Sequence, residues 1–198
     1  RRAGRSPRPT APPGLGKDAG SPLRRRRSGH SFRNPPAKPR RLAIFFDASA
    51  SARDRDLARE RELIQSYLRA LGNVEVRLVA FRNDADPALR FAIRNGDSAK
   101  LLAAIAALPL DGGSSYGAIN LAAVGAVDQV LLIGDGLSNF GGSEPNLVGD
   151  GGVRPAVQVV HAAQRADHAR LARIARAGGG RVIDLATQGD AAAAAQLL

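Results

Sequence analysis

The sequence contains no cysteine, no methionine and no tryptophan in 198 residues. The lack of cysteine excludes disulfide bonds, thiolate metal ligands and a cysteine nucleophile, although it does not indicate a cellular compartment. Aromatic residues are few, with 6 Phe and 2 Tyr, so any core must be mainly aliphatic. No apolar run reaches the roughly 18 residues that a membrane-spanning helix needs, so the sequence predicts no transmembrane segment.

The formal net charge of +11 is concentrated in the first fifth of the chain. Residues 1–41 contain 13 Lys and Arg against one acid, Asp18, whereas residues 42–198 carry a net charge of −1. The first segment is also rich in Pro, Gly and Ser and has no apolar periodicity, which is typical of disorder. The sequence therefore predicts a basic disordered segment at 1–41, a globular domain at 42–185, and a truncated tail or the start of a further segment at 186–198.

The basic segment contains a run of four arginines at 24–27. Such a run favours phosphate groups or another anionic surface through charge alone. Nucleic-acid binding is therefore expected only through residues 1–41, if at all. The chain begins with Arg1 rather than Met, which indicates a fragment or a processed product.

Short apolar runs alternate with amphipathic helical patterns between residues 42 and 185. The runs predict strands at 42–46, 74–81, 89–93, 129–133, 156–160 and 182–185, and the patterns predict helices near 54–71, 98–108, 116–124 and 167–177. This alternation predicts an α/β fold, doubly wound around a mainly parallel sheet with helices on both faces.

Small polar residues follow two of the buried strands and precede one helix. Asp47, Ser49 and Ser51 come directly after the first strand, Asp135 follows a later one, and Ser114 lies in a Gly-rich loop. Because ligands bind at the carboxyl ends of parallel strands, these five side chains could converge. Their oxygen atoms suit Mg²⁺, Mn²⁺ or Ca²⁺ rather than zinc or copper. A site with few direct carboxylates would also favour an acidic group from a partner.

These residues resemble the metal ion-dependent adhesion site (MIDAS) of a von Willebrand factor type A (VWA) domain. In that family an apolar strand is followed by Asp-x-Ser-x-Ser, then by a loop Thr and by an Asp after a later strand. Asp47, Ser49 and Ser51 match the first motif, Ser114 stands in place of the Thr, and Asp135 matches the last position. The stretch 42–185 is similar in particular to the A domain of bacterial proteins that pair it with an inter-alpha-trypsin inhibitor (VIT) type domain.

The resemblance implies a function and a role for each residue. Ser49, Ser51 and Ser114 would coordinate Mg²⁺ or Mn²⁺ directly (Ca²⁺ is also compatible), Asp47 and Asp135 would act through bound water, and a partner protein would supply an acidic residue. It implies metal-dependent adhesion or protein–protein binding, without catalysis or a small-molecule substrate, and it favours an extracytoplasmic location. Two departures stand out: Ala50 occupies a position that is often Gly, and Ser114 lacks the methyl group that restricts a Thr rotamer.

Other interpretations stay open at this point. The first alternative is a metal-free structural interaction domain with a basic nucleic-acid- or anionic-surface-binding tail. A helix-capping role would explain Asp47, Ser49 or Ser51 singly but not the distant Asp135. Enzyme motifs fit less well, because a dehalogenase-type phosphatase needs an acid at Ser49 and a serine hydrolase needs Gly at Phe140. A P-loop needs Lys where the chain has Gly142, and no third glycine completes a dinucleotide-binding motif.

The remaining charged residues predict ordinary surface roles. Arginines and acids interleave over residues 53–62, including Arg55 and Glu60, which is typical of a solvated helix face with local ion pairs. His161 and His168 are both expected at the surface, and no two histidines have a spacing useful for a metal.

Overall fold

The computed structural model describes residues 38–142 and 144–198. The predicted basic segment therefore lies outside the described residues, apart from its last four positions. Arg41 already belongs to the first strand and forms an ion pair of 2.6 Å with Asp128. Within the described part of the chain, no helix combines the length and apolar character needed to cross a bilayer.

In the part of the chain that the structure describes, six strands form one sheet in the order β3-β2-β1-β4-β5-β6. Strand β3 pairs antiparallel with β2, and the other neighbouring strands pair in parallel. The predicted doubly wound, mainly parallel α/β fold is confirmed. The strands are β1 (Arg41–Asp47), β2 (Val74–Phe81), β3 (Leu89–Ile93), β4 (Gln129–Ile133), β5 (Ala156–His161) and β6 (Val182–Asp184).

Strand β1 lies at the centre of the sheet because its side chains are apolar on both faces. Leu42, Ile44 and Phe46 belong to one buried cluster, while Ala43 and Phe45 belong to a second. Alternate residues of a strand point to opposite faces, so β1 joins two separate cores. The sheet order reverses between β1 and β4, which places a ligand-binding crevice at their carboxyl ends.

Over the described residues, four α-helices accompany the sheet: α1 (Leu57–Leu71), α2 (Ala99–Ala106), α3 (His168–Ala177) and α4 (Ala191–Ala195). Helix α1 starts three residues later than predicted, because a 3-10 helix, Ala50–Asp54, precedes it and Asp56 caps it through the Arg59 backbone N–H. Gly72 ends α1, as expected, with a positive φ of 78°. Helix α4 lies in the C-terminal segment 186–198 and packs on α1, with Ala191, Ala194 and Ala195 inside the first cluster.

The predicted helix at 116–124 is wrong. The structure has two 3-10 helices there, Tyr116–Ala118 and Leu121–Ala123. Besides the local bonds of these short turns, two N–H groups bond to the following long loop: Gly117 donates to the Gly142 carbonyl at 2.7 Å, and Leu121 donates to the Asn146 carbonyl at 2.9 Å. Apolar spacing alone does not distinguish this segment from an α-helix.

Candidate metal centre

The loop after β1 carries the first three predicted site residues. Asp47 is the last residue of β1, Ser49 precedes the 3-10 helix, and Ser51 lies within it. Asp47 and Ser49 are buried, with 0% and 1% exposure. The Asp47 carboxylate accepts a 3.0 Å hydrogen bond from the Ser49 backbone N–H, which folds the chain back over the end of the strand.

The structure brings all five predicted residues together through hydrogen bonds. Ser114 Oγ donates to Asp47 Oδ2 at 3.1 Å, and Ser51 Oγ donates to Asp135 Oδ2 at 2.7 Å. The hydroxyl oxygens of Ser49 and Ser51 lie 3.1 Å apart. Three segments that are far apart in sequence therefore contribute to one cluster at the ends of β1 and β4.

The donor set fits a hard divalent cation. Ser51 and Ser114 give their protons to carboxylates, so the lone pairs of these hydroxyl oxygens stay available to an ion. Two neighbouring ligands of an octahedral Mg²⁺ lie about 3 Å apart when each is about 2.1 Å from the ion. The 3.1 Å between the Ser49 and Ser51 oxygens is close to that separation. In the described part of the chain no group of three or more His, Asp and Glu side chains has metal-binding geometry, so an ion here would depend on the serines.

Two asparagines hold the loop that presents Ser114. The Gly113 N–H donates to Asn83 Oδ1 at 2.7 Å, and the Ser114 N–H donates to Asn139 Oδ1 at 2.8 Å. The Ser114 carbonyl accepts in return from the Asn139 N–H at 3.0 Å. The sequence patterns predict no role for these asparagines. The available signal was weak: each follows a buried strand, β2 or β4, within a few residues.

Tyr116 lies beneath the site and is fully buried. Its hydroxyl accepts a 2.7 Å hydrogen bond from the Gly136 N–H, and its ring contacts Phe81 edge-on at 5.2 Å. Burial, reinforced by the nearby negative charges of Asp47 and Asp135, raises the pKa of Tyr116 well above its usual value. A Cβ at Gly134 would lie only 2.5 Å from the tyrosine hydroxyl, so this close approach requires glycine.

The predicted solvated face is wrong for Arg55 and Glu60, whose side chains are 0% exposed. Arg55 Nε lies 3.0 Å from Glu60 Oε1, and Arg55 Nη2 donates to the Asp47 backbone carbonyl at 2.8 Å. Burial raises the pKa of Asp47, the positive charge of Arg55 opposes that rise, and Asp135 adds to it. The buried Arg55–Glu60 pair could not be recognised among the interleaved charges, because charge periodicity does not show which side chains turn inward.

The prediction for His161 is also wrong, since this side chain is buried, whereas His168 is exposed as expected. Neither ring nitrogen of His161 has a hydrogen-bond partner among the described residues. Its Nε2 lies 3.7 Å from Asp184 Oδ1, and its ring meets that of His168 edge-on at 5.1 Å. Burial lowers the pKa of His161, so the ring is neutral near pH 7.

A surface cavity of about 420 Å³ opens beside the cluster. It gives access to Ser51 and Asp135, whose partners Asp47, Ser49 and Ser114 lie deeper. The other residues that line it come from the end of the 3-10 helix Ala50–Asp54 and from the loops after β4 and β5: Asp54, Leu137, Ala163, Gln164 and Arg165.

The comparisons with known proteins support the fold. No family model matches the chain, and no curated protein matches it. Among solved structures, an aerotolerance-related membrane protein from Bacteroides fragilis is 21% identical with a TM-score of 0.58, covering 79% of this chain and 96% of that one. BatB from Bacteroides thetaiotaomicron is 18% identical with a TM-score of 0.55, covering 79% and 95%. A von Willebrand factor type A protein from Catenulispora acidiphila is 18% identical with a TM-score of 0.49, covering 79% and 40%.

The chain shares its fold with the first two of these structures, and this fold is the doubly wound α/β architecture that its VWA-like strand-end motifs predict. Sequence identities of this size establish the fold alone. The function of the site depends on the residues that form it. The pairing with a VIT-type domain stays an expectation of the sequence resemblance.

Proposed function

We propose that this domain is a non-catalytic, metal-dependent module for protein–protein interaction or adhesion. In this proposal Asp47, Ser49, Ser51, Ser114 and Asp135 hold Mg²⁺ or Mn²⁺. The observation that supports it is the single hydrogen-bonded cluster that joins all five residues across three loops. A capping role for individual residues does not account for the bond between Ser51 and Asp135.

The chemistry of the cluster supports recognition of an acidic partner. The three serine hydroxyls are neutral ligands, and the two carboxylates orient hydroxyl protons. A bound divalent ion would bring positive charge. Because its direct ligands, the serine hydroxyls, are neutral, they would not cancel that charge. A carboxylate of a partner protein is the complementary group, and it would reach the cluster through the cavity beside Ser51 and Asp135.

An exposed aromatic residue supports a protein partner rather than a small molecule. Phe140 is 51% exposed, and its backbone N–H donates to the Ser114 carbonyl at 3.2 Å. An exposed aromatic side chain this close to the cluster could add apolar contact to a charged interaction. Among the described residues, none of the three site serines hydrogen-bonds a histidine, and in this proposal their hydroxyls serve as metal ligands.

A metal titration of the full chain tests the proposal. Mg²⁺ or Mn²⁺ should raise the thermal unfolding midpoint, since an ion at 100 times its Kd adds about 2.7 kcal/mol of stability. The shift should disappear in Ser49→Ala and Asp47→Ala. Ser66→Ala on α1 and Asp84→Ala in the exposed loop after β2 are the matched controls and should keep it. The absence of any shift at millimolar metal in the wild-type chain would contradict the metal site.

The second candidate is a metal-free interaction domain whose basic segment 1–41 binds nucleic acid or an anionic surface. Its support is the excess of 12 positive charges in that segment. Binding to DNA by charge alone should weaken steeply as salt rises. Salt-insensitive binding, or equal binding after removal of residues 1–37, would count against it. An extracytoplasmic location stays an expectation of the resemblance under either candidate.

A further inference from the structure

A buried ion pair lies directly behind the proposed metal centre. Arg55 follows the 3-10 helix that contains Ser51, and Glu60 lies in the first turn of α1. Two hydrogen bonds join the side chains, from Nε to Oε1 at 3.0 Å and from Nη2 to Oε2 at 3.3 Å. Both side chains are 0% exposed, so Glu60 fixes the plane of the guanidinium group without competition from water.

The guanidinium group of Arg55 also approaches Asp47. Nη2 donates to the Asp47 carbonyl at 2.8 Å, and Nη1 lies 3.8 Å from Asp47 Oδ2. Nη1 has no hydrogen-bond partner among the described residues. The guanidinium group also lies 5.3 Å from the centre of the Phe46 ring, on the preceding residue of β1. Arg55 thus contacts both the backbone and the carboxylate end of the residue that receives the Ser49 and Ser114 hydrogen bonds.

A divalent cation would offset the negative charge of this region. Asp47, Glu60 and Asp135 are buried acids, and Arg55 compensates one of them. Two formal negative charges remain on Asp47 and Asp135, which in the proposal act through bound water, so the direct ligands of the ion stay neutral. The Arg55–Glu60 pair itself is neutral, so it can orient Asp47 without changing the charge of the metal-binding group.

Stability alone is a weak reason for such a pair. Removing two charges from water costs several kcal/mol, and replacing a buried ion pair with apolar residues of similar size is often neutral or stabilising. We infer that Arg55, oriented by Glu60, is a positioning residue for the metal centre: it holds Asp47 so that Ser49 and Ser114 present their hydroxyls to the ion. This inference rests on the proposed metal-dependent function, and it deepens that proposal.

The decisive variant is the double substitution Arg55→Met/Glu60→Met. It removes the pair together, so it leaves no unpaired buried charge and keeps the net charge of Asp47 and Asp135. Single variants are less informative because they leave one buried charge without a partner and risk unfolding the chain. The control is Arg94→Met/Glu75→Met, which removes a 2.8 Å ion pair that is more than half exposed and lies between β2 and β3.

The first readout requires no metal. Hydrogen exchange of the Ser49 amide reports the bond to the Asp47 carboxylate. In the double variant we expect this amide to exchange about tenfold faster while core amides of β1 and β4 keep their protection. The control pair should leave Ser49 unchanged. Unchanged Ser49 exchange in a folded double variant would overturn the positioning role.

The second readout is Mn²⁺ affinity, measured by calorimetry on the full chain. Loss of a residue that orients metal ligands commonly weakens binding about 10- to 100-fold, and we expect that range for the double variant. Wild-type affinity in a folded double variant would overturn the inference. If the wild-type chain itself binds no Mn²⁺, the proposed function fails, and the Ser49 exchange still decides whether Arg55 positions Asp47.

Discussion

Ser51 donates a 2.7 Å hydrogen bond to Asp135, a residue 84 positions further along the chain. The bond crosses from the loop after β1 to the loop after β4, which are neighbouring strands in the sheet. It exists only because parallel pairing brings the carboxyl ends of these strands to one edge. The candidate site therefore depends on the strand order of the sheet as much as on the Asp-x-Ser-x-Ser motif.

Removing either partner of this bond should weaken metal binding. We expect Ser51→Ala and Asp135→Asn each to lower Mn²⁺ affinity about 10- to 100-fold, since the first deletes a ligand and the second deletes the charge that orients it. Calorimetric titration measures the effect. The double variant should lose less than the sum of the two losses, because both substitutions break one interaction. Strictly additive losses would show that the two residues act independently.

Asn139 should matter for the metal through Ser114. Asn139→Ala removes the acceptor of the Ser114 N–H, so the loop should lose its fixed position and Mn²⁺ affinity should fall about tenfold. Asn73→Ala is a matched control, because its side chain also accepts a backbone hydrogen bond, from the Asn95 N–H at 3.0 Å, outside the cluster. Equal metal affinity in both variants would show that Asn139 does not contribute to metal binding.

The contact between Gly134 and Tyr116 should appear as a coupled effect on stability. Gly134→Ala places a methyl group 2.5 Å from the tyrosine hydroxyl and should cost about 1–3 kcal/mol. Tyr116→Phe leaves the Gly136 N–H without its acceptor and should also cost about 1–3 kcal/mol. The double variant should be destabilised by less than the sum, since the phenylalanine removes the nearer clashing atom and leaves Asp47 Cβ at 2.9 Å. Urea denaturation of the four proteins measures the coupling, and simple additivity would argue against direct contact.

His161 should make stability depend on pH below neutrality. Burial, with a smaller contribution from His168, lowers the pKa of His161 below its usual 6.5, while Asp184 and Asp135 oppose the shift. The unfolded chain therefore binds the proton more readily than the folded one. Stability from this residue is complete above pH 6.5 and is lost as the pH falls through the lower, folded-state pKa.

Urea denaturation at a series of pH values tests this dependence with His161→Leu, which puts an apolar side chain at the buried position. The free energy of unfolding should fall less steeply below pH 6.5 in this variant than in the wild-type chain. His168→Gln is the comparison at an exposed histidine and should keep most of the wild-type slope. Parallel curves for His161→Leu and the wild type would contradict the prediction.

Much of the fold could be predicted from the sequence because strand and helix patterns differ in period. The apolar runs at 74–81 and 89–93 match β2 and β3, and Gly72 ends α1 as its position predicts. The segment 116–124 was mispredicted because its apolar residues satisfy helical spacing while its backbone bonds to a distant loop. Such long-range bonds leave no periodic signal.

Four of the five candidate ligands could be predicted because they follow strands that end at the same edge, and Ser114 was indicated by its place in a Gly-rich loop. Arg55, Glu60 and His161 could not, since each looks like a solvent-facing polar residue in its local sequence. Burial of these groups depends on tertiary contacts, such as the bond from the Arg55 side chain to the Asp47 carbonyl. Whether a polar side chain meets a partner inside the fold is decided by distant residues.

The loop after β4 helps to cover one of the two buried cores. Its carbonyls at Gly142 and Asn146 receive the backbone N–H groups of the 3-10 helices that cover buried Ile119 and Leu121. Long glycine-containing loops usually tolerate insertion and shortening, because few contacts depend on them. Here a deletion would open the apolar interior to water and loosen the backbone that holds Ser114, so this loop is a poor place for a tag, a cleavage site or a graft.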